Sequence, residues 1–202
     1  NMKISFLFPG QGSQYKGIGK NLYNKFDFAK KLFHDANDIL EYDLKKICFS
    51  NDSDTINETK YTQPAIFIYS MICDYYLKDS NYEPYAFAGH SLGEYSALAS
   101  SNCLSIEDAL KIIKTRSQEM YNSGKNSSGK MAAILSSDYN KINKIINQMN
   151  SSAVIANYNS KNQTIISGKI DEIELLIQNF KENKFKIIPL NVSGAFHSPL
   201  MN

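Results

Sequence analysis

The sequence predicts an α/β fold in two parts: a large α/β subdomain and a smaller ferredoxin-like (βαββαβ) subdomain inserted into it. Two observations carry this. A short apolar run at Ile4–Phe8 ends abruptly in Pro9-Gly10-Gln11-Gly12-Ser13-Gln14, as a strand does when it runs into a tight turn. Further on, between residues 131 and 190, the periodicities run strand, helix, strand, strand, helix, strand, which is the split ferredoxin-like order. A chain of 202 residues is long enough for one α/β core with such an insertion. The expected large subdomain comprises residues 1–125 and 192–202, and the insertion residues 129–191.

Taken in order, the apolar run at 4–8 reads as a strand buried on both faces. Ala29, Leu32, Phe33, Ala36 and Leu40 follow helical spacing. Thr62 reads as the cap of a second helix over residues 63–77, with Pro64 in its first turn. Residues 85–88 read as a strand that passes through Gly89-His90-Ser91-Leu92-Gly93 into a helix over residues 92–100. Ser105 caps a helix over residues 106–121 whose inward stripe is Ala109, Ile112, Ile113 and Met120. A Ser/Gly/Lys/Asn-rich linker is expected over 122–129. The inserted part then reads as strands at 131–135, 153–157, 164–167 and 186–190. Helices carry Ile142, Ile145, Ile146 and Met149, then Ile173, Leu176, Ile177 and Phe180.

Composition excludes several classes. Hydrophobic residues make up 43% and charged residues 21%, an ordinary soluble balance. The net charge is +2 and Arg116 is the only arginine, so no arginine cluster suggests nucleic acid. No apolar run is long enough for a membrane span, and the N-terminus lacks a signal-peptide pattern. Met2 reads as the true start. Cys48, Cys73 and Cys103 are odd in number and far apart, which fits reduced thiols in the cytoplasm and no metal site.

Gly89-His90-Ser91-Leu92-Gly93 matches G-x-S-x-G between a strand and a helix, the setting that exposes a nucleophilic serine. The Leu92 amide at that helix start can stabilise an oxyanion. An ordinary strand–helix turn with a capping serine is the plain alternative. A serine nucleophile needs a base. Of the three histidines, His34 reads as a surface residue and His90 as diverging from Ser91, which leaves His197 as the candidate, with an ordinary loop histidine as the plain alternative. Arg116 falls on an apolar helix stripe, where an unpaired charge is costly. It can hold a substrate carboxylate in a bidentate grip. It can equally reach solvent or pair with Glu94. The turn at 9–14 can present the Gln11 amide as a second oxyanion donor.

Together these segments resemble the malonyl-CoA:acyl carrier protein transacylases and polyketide synthase acyltransferases. The resemblance rests on Gly10-Gln11-Gly12-Ser13-Gln14, Thr62-Gln63-Pro64-Ala65, Gly89-His90-Ser91-Leu92-Gly93-Glu94-Tyr95 and Arg116. It extends to Met131-Ala132-Ala133, Ala156-Asn157-Tyr158-Asn159-Ser160 and Gly194-Ala195-Phe196-His197-Ser198. It implies an α/β-hydrolase-like core with a ferredoxin-like insertion. It implies Ser91 as nucleophile, His197 as its base, Gln11 and Leu92 as oxyanion donors, and Arg116 as the malonyl carboxylate ligand. The implied reaction moves malonyl from coenzyme A to the phosphopantetheine thiol of an acyl carrier protein, for fatty acid or polyketide synthesis. It needs no cofactor, only the substrate malonyl-CoA. A cytoplasmic monomer is expected, with no nucleic-acid or membrane partner. Phe196 matches the malonyl-selective version of its segment. Family members continue past the histidine segment, so the chain reads as a fragment or as one completed by another polypeptide. A serine esterase or thioesterase, and a non-catalytic fragment that binds acyl-CoA or carrier protein, are the rival readings.

Overall fold

The computed structural model describes residues 3–50, 54–126 and 128–201. Its elements form two compact units, Asn1–Glu119 and Met120–Asn202. The secondary structure is mixed α/β throughout.

In the first unit, β1 (Ile4–Phe8) leads through a turn to α1 (Lys20–Lys25), α2 (Asp27–Leu40) and α3 (Leu44–Phe49). The long α4 (Thr59–Asp79) is followed by β2 (Pro84–Gly89), α5 (Gly93–Ser100) and α6 (Ile106–Asn126). β1 and β2 pair in parallel, with Phe6 opposite Phe87 and Phe8 opposite Gly89. Their inward side chains join a core built on Phe33, Leu40, Leu44, Ile66, Phe67 and Ile72. The sequence predicts α2 from its apolar spacing, and Ala29, Phe33, Ala36 and Leu40 are its buried residues. It does not predict α1 or α3, which are six residues each and too short to show a period. Asp43 nonetheless caps α3, its carboxylate accepting from the Lys46 amide at 2.9 Å.

Three expectations for the first unit are corrected. The first strand is buried on one face only: Phe6 and Phe8 are buried, whereas Leu7 is 76% exposed. Among the described residues nothing covers the face formed by Ser5, Leu7, Ala86 and Ala88, and an apolar run alone cannot distinguish one buried face from two.

Thr62 is not a cap. α4 begins at Thr59, and the Thr62 hydroxyl donates back to the carbonyls of Ile56 and Glu58 at 2.6 and 3.1 Å. Pro64 therefore lies inside the helix, where it cannot donate to the Lys60 carbonyl. That carbonyl instead accepts from the hydroxyls of Tyr42 and Ser117 at 3.3 and 3.4 Å.

On α6, Ile112 is 42% exposed, and Leu110 joins Ala109 and Ile113 inside. Ser105 does cap this helix, accepting from the Asp108 amide at 2.9 Å.

The second unit takes the end of α6, then β3 (Gly129–Leu135), α7 (Tyr139–Gln148), β4 (Val154–Ser160), β5 (Gln163–Lys169), α8 (Ile170–Glu182) and β6 (Lys186–Pro189). The sheet is antiparallel in the order β4-β5-β3-β6. Ile142, Ile173, Leu176 and Phe180 of α7 and α8 pack with Ala132, Ile134 and Ile166 of the sheet. A further cluster joins Met131, Ala133 and Ile165 to Phe196. The expected linker over 122–129 is mostly helix, because α6 continues to Asn126. Gly124 marks close packing here, since a Cβ at this position would stand 2.8 Å from the Ser193 carbonyl oxygen. No helix among the described residues is long and apolar enough to cross a membrane.

Candidate active site

Ser91 sits between the end of β2 and the start of α5 with φ 52°, a left-handed backbone that a non-glycine residue adopts at a cost of about 1–2 kcal/mol. Local hydrogen bonds hold it there. The Gly93 amide donates to the His90 carbonyl at 2.9 Å, and the Glu94 amide to that of Ser91 at 3.1 Å. The His90 amide reaches across to the Phe8 carbonyl at 3.0 Å. Any Cβ on Gly93 would lie 2.1 Å from the Phe8 carbonyl oxygen and 3.0 Å from that of Pro9. Only glycine allows this approach, which brings the turn after β1 against the turn after β2.

Arg116 projects from α6 into the same place. Its Nη2 donates to Ser91 Oγ at 3.2 Å, and its Nη1 donates to the Gln63 side-chain oxygen of α4. Its Cζ stands 5.5 Å from the centre of the Tyr95 ring. The guanidinium is half-buried, and that burial draws its pKa below the usual arginine range. The neighbouring Tyr95 and Glu94 act in the opposite direction. A guanidinium remains charged near neutrality regardless. Among the described residues no carboxylate lies within 4.0 Å of it. The alternatives of escape to water and pairing with Glu94 are thus not what the structure shows. The charge is held by neutral partners, with the serine hydroxyl beside it.

The oxyanion candidates flank this point. Leu92 is buried and follows Ser91 directly. Gln11 lies in the turn after β1, anchored by its side-chain amide, which donates to Thr59 Oγ1 at 3.0 Å. Neither the Gln11 nor the Leu92 backbone amide donates a hydrogen bond among the described residues. His34 is on the surface beside Asp38, 3.5 Å away, as its sequence position predicts.

His197 belongs to the second unit and has φ 56°. Its segment is pinned by Ser198, whose hydroxyl donates to the Ala195 carbonyl at 2.6 Å. The preceding Phe196 is 4% exposed and fills the cluster with Met131, Ala133 and Ile165. The first unit thus brings together Ser91, Leu92, Arg116 and the Gln11 turn.

Two residues of this constellation carry no assigned role in the sequence reading: Gln63 and Tyr95. Gln63 was detectable in principle, as a polar residue on a helix apolar nearly all round; it is 1% exposed. Tyr95 has no such signal, because an aromatic residue on a helix usually means core packing.

Comparison with known proteins gives the family. The acyl transferase domain family matches residues 5–202. A malonyl CoA-acyl carrier protein transacylase of Bacillus subtilis (strain 168) is 40% identical over 203 residues, which cover 98% of this chain and 64% of that protein. The crystal structure of the malonyl CoA-acyl carrier protein transacylase of Clostridium perfringens superposes with a TM-score of 0.90 at 34% identity, over 99% of this chain and 64% of that one. A malonyl-transacylase solved in complex with its type II PKS acyl-carrier protein gives 0.93 at 29% identity, over 99% and 66%. The chain therefore spans somewhat under two thirds of the length of the first two of these proteins. Because the family match begins at residue 5 and runs to residue 202, it takes in both units and every residue of the serine site, and the chain belongs to the acyl transferase domain family.

Proposed function

We propose that the chain carries the site of a malonyltransferase. It would move a malonyl group from coenzyme A to the phosphopantetheine thiol of an acyl carrier protein through an ester on Ser91. The observation that carries this reading is the half-buried Arg116 guanidinium, 3.2 Å from Ser91 Oγ, with only neutral hydrogen-bond partners. A cation held next to a nucleophile and left un-neutralised suits an acyl group that brings its own carboxylate. A plain esterase substrate would offer it nothing.

The chemistry follows in two half-reactions. Ser91 Oγ attacks the malonyl thioester carbonyl, and its proton passes to a base, the role we assign to His197. The carbonyl oxygen becomes an oxyanion, which the Gln11 and Leu92 amides are suited to receive. The C–S bond breaks, coenzyme A leaves as the thiol with the proton from the base, and malonyl remains on Ser91. The carrier thiol then attacks the ester by the same route and restores the free hydroxyl. Throughout, Arg116 grips the distal carboxylate with its planar fork. The acyl carrier protein as partner is supported by the carrier-bound malonyl-transacylase that the chain resembles. No step calls for a cofactor.

The same reading covers the architecture. The parallel β1–β2 pair with its serine turn fits an α/β-hydrolase-like core; the bounds proposed for it are 1–125 and 192–202, although 120–125 and 192–202 cluster with the second compact unit. The antiparallel order β4-β5-β3-β6 with two helices fits a ferredoxin-like insertion over 129–191.

Intact-protein mass spectrometry after incubation with malonyl-CoA tests the reading. A single malonyl adduct should appear, map to Ser91, and be absent from Ser91→Ala. An adduct that survives the substitution would place the nucleophile elsewhere.

A further inference from the structure

We infer that Tyr95 is a positioning residue for Arg116. By holding the guanidinium fork at the angle that receives an acyl carboxylate beside Ser91, it sets the discrimination between charged and neutral acyl groups. The inference rests on the malonyltransferase reading and deepens it.

Three observations converge. Tyr95 lies four residues after Ser91, in the first turn of α5, and its amide donates to the Leu92 carbonyl at 3.1 Å. Nucleophile and aromatic ring are thus carried by the same tight turn and share its position. The ring packs against the core of the first unit, so packing fixes where it stands. Its centre is 5.5 Å from Arg116 Cζ, within the range of a cation–π contact.

The chemistry of the partners gives the reason for a tyrosine here. A planar fork recognises a carboxylate only when it is correctly turned, so the guanidinium has to be oriented in advance. A carboxylate could orient it, but would also neutralise it and compete with the acyl group. Gln63, Ser91 and Tyr95 surround it with an amide oxygen, a hydroxyl and an aromatic ring. These orient the cation and leave its charge available. Glu94, the neighbouring acid, is exposed and forms no ion pair with Arg116 within 4.0 Å.

The test compares Tyr95→Phe and Tyr95→Leu with the unaltered full-length protein, using malonyl-CoA and acetyl-CoA as donors. Each variant is also made in an Arg116→Ala background, and melting temperatures serve as a check on folding. Tyr95→Leu should lower malonyl kcat/KM about tenfold, mainly through KM, as expected for lost contacts to a charged group, and leave acetyl transfer nearly unchanged. Tyr95→Phe should fall between, since it keeps the ring and loses the hydroxyl. In the Arg116→Ala background neither change should alter the malonyl-to-acetyl ratio further. If malonyl and acetyl rates fall together, or the selective loss persists without Arg116, the inference is overturned and Tyr95 is packing alone. Should Tyr95→Leu fail to fold, Tyr95→Phe decides by the same ratio. If the unaltered protein transfers no malonyl at all, the malonyltransferase reading itself falls, an outcome distinct from loss of the Tyr95 effect in an active enzyme.

Discussion

At the scale of single residues, the site turns on how a cation is kept charged beside a hydroxyl. Arg116 loses solvation on burial, yet its hydrogen bonds are made to Gln63 and Ser91, which carry no charge. A bidentate bond to a charged group contributes about 1.5–3 kcal/mol, or roughly tenfold or more in rate. Arg116→Ala should therefore lower malonyl transfer at least about tenfold relative to acetyl transfer. Arg116→Lys should recover only part of this, because a lysine ammonium has no planar fork. Competition assays with the two donors in one reaction read the ratio directly. Equal losses for both donors would make Arg116 a structural residue.

The secondary-structure elements show both what sequence reasoning reaches and where it stops. The serine turn was legible because its signals are local: a strand, two glycines and a helix within one short segment. The second unit was legible because each of its elements has a clean period, with Ile142, Ile173, Leu176 and Phe180 all inside as predicted. What escaped were features decided by distant partners. Thr62 and Pro64 read locally as a helix start. The structure begins the helix earlier because Tyr42, from the connection between α2 and α3, and Ser117 of α6 supply the hydrogen bonds that Pro64 cannot. Likewise Gly124 reads as a linker residue and proves to be a contact with Ser193. Neither partner is visible in the local pattern. Removing both hydroxyls by Tyr42→Phe and Ser117→Ala should cost about 1 kcal/mol, since both bonds are long. In a Pro64→Ala background, where the helix can supply the missing amide, the same pair should cost less. Urea melts of the four proteins measure the coupling; an identical cost in both backgrounds would refute the exchange of donors.

For the whole molecule, the central fact is that the second unit holds its own core. Phe180, Leu176, Ile173, Ile142 and Ile166 are buried among themselves, against a four-stranded sheet in the order β4-β5-β3-β6. A segment of residues 128–202 should therefore fold alone, with a cooperative thermal transition and protected amides in β3 and β5. A gradual, non-cooperative melt would show that this core depends on the rest of the chain. The first unit differs, because the outward face of β1 and β2 presents Leu7 at 76% exposure beside Ala86 and Ala88. That open face has a consequence for how molecules of this chain meet in solution. Attraction between copies should rise with concentration and with added ammonium sulfate, which strengthens apolar association. A single charge should reverse it: Leu7→Lys touches no packed core, so it should leave the melting temperature within about a degree or two while shifting the second virial coefficient from attractive towards repulsive. Static light scattering on the two proteins, at matched ionic strength, would read the colloidal behaviour of this one strand face.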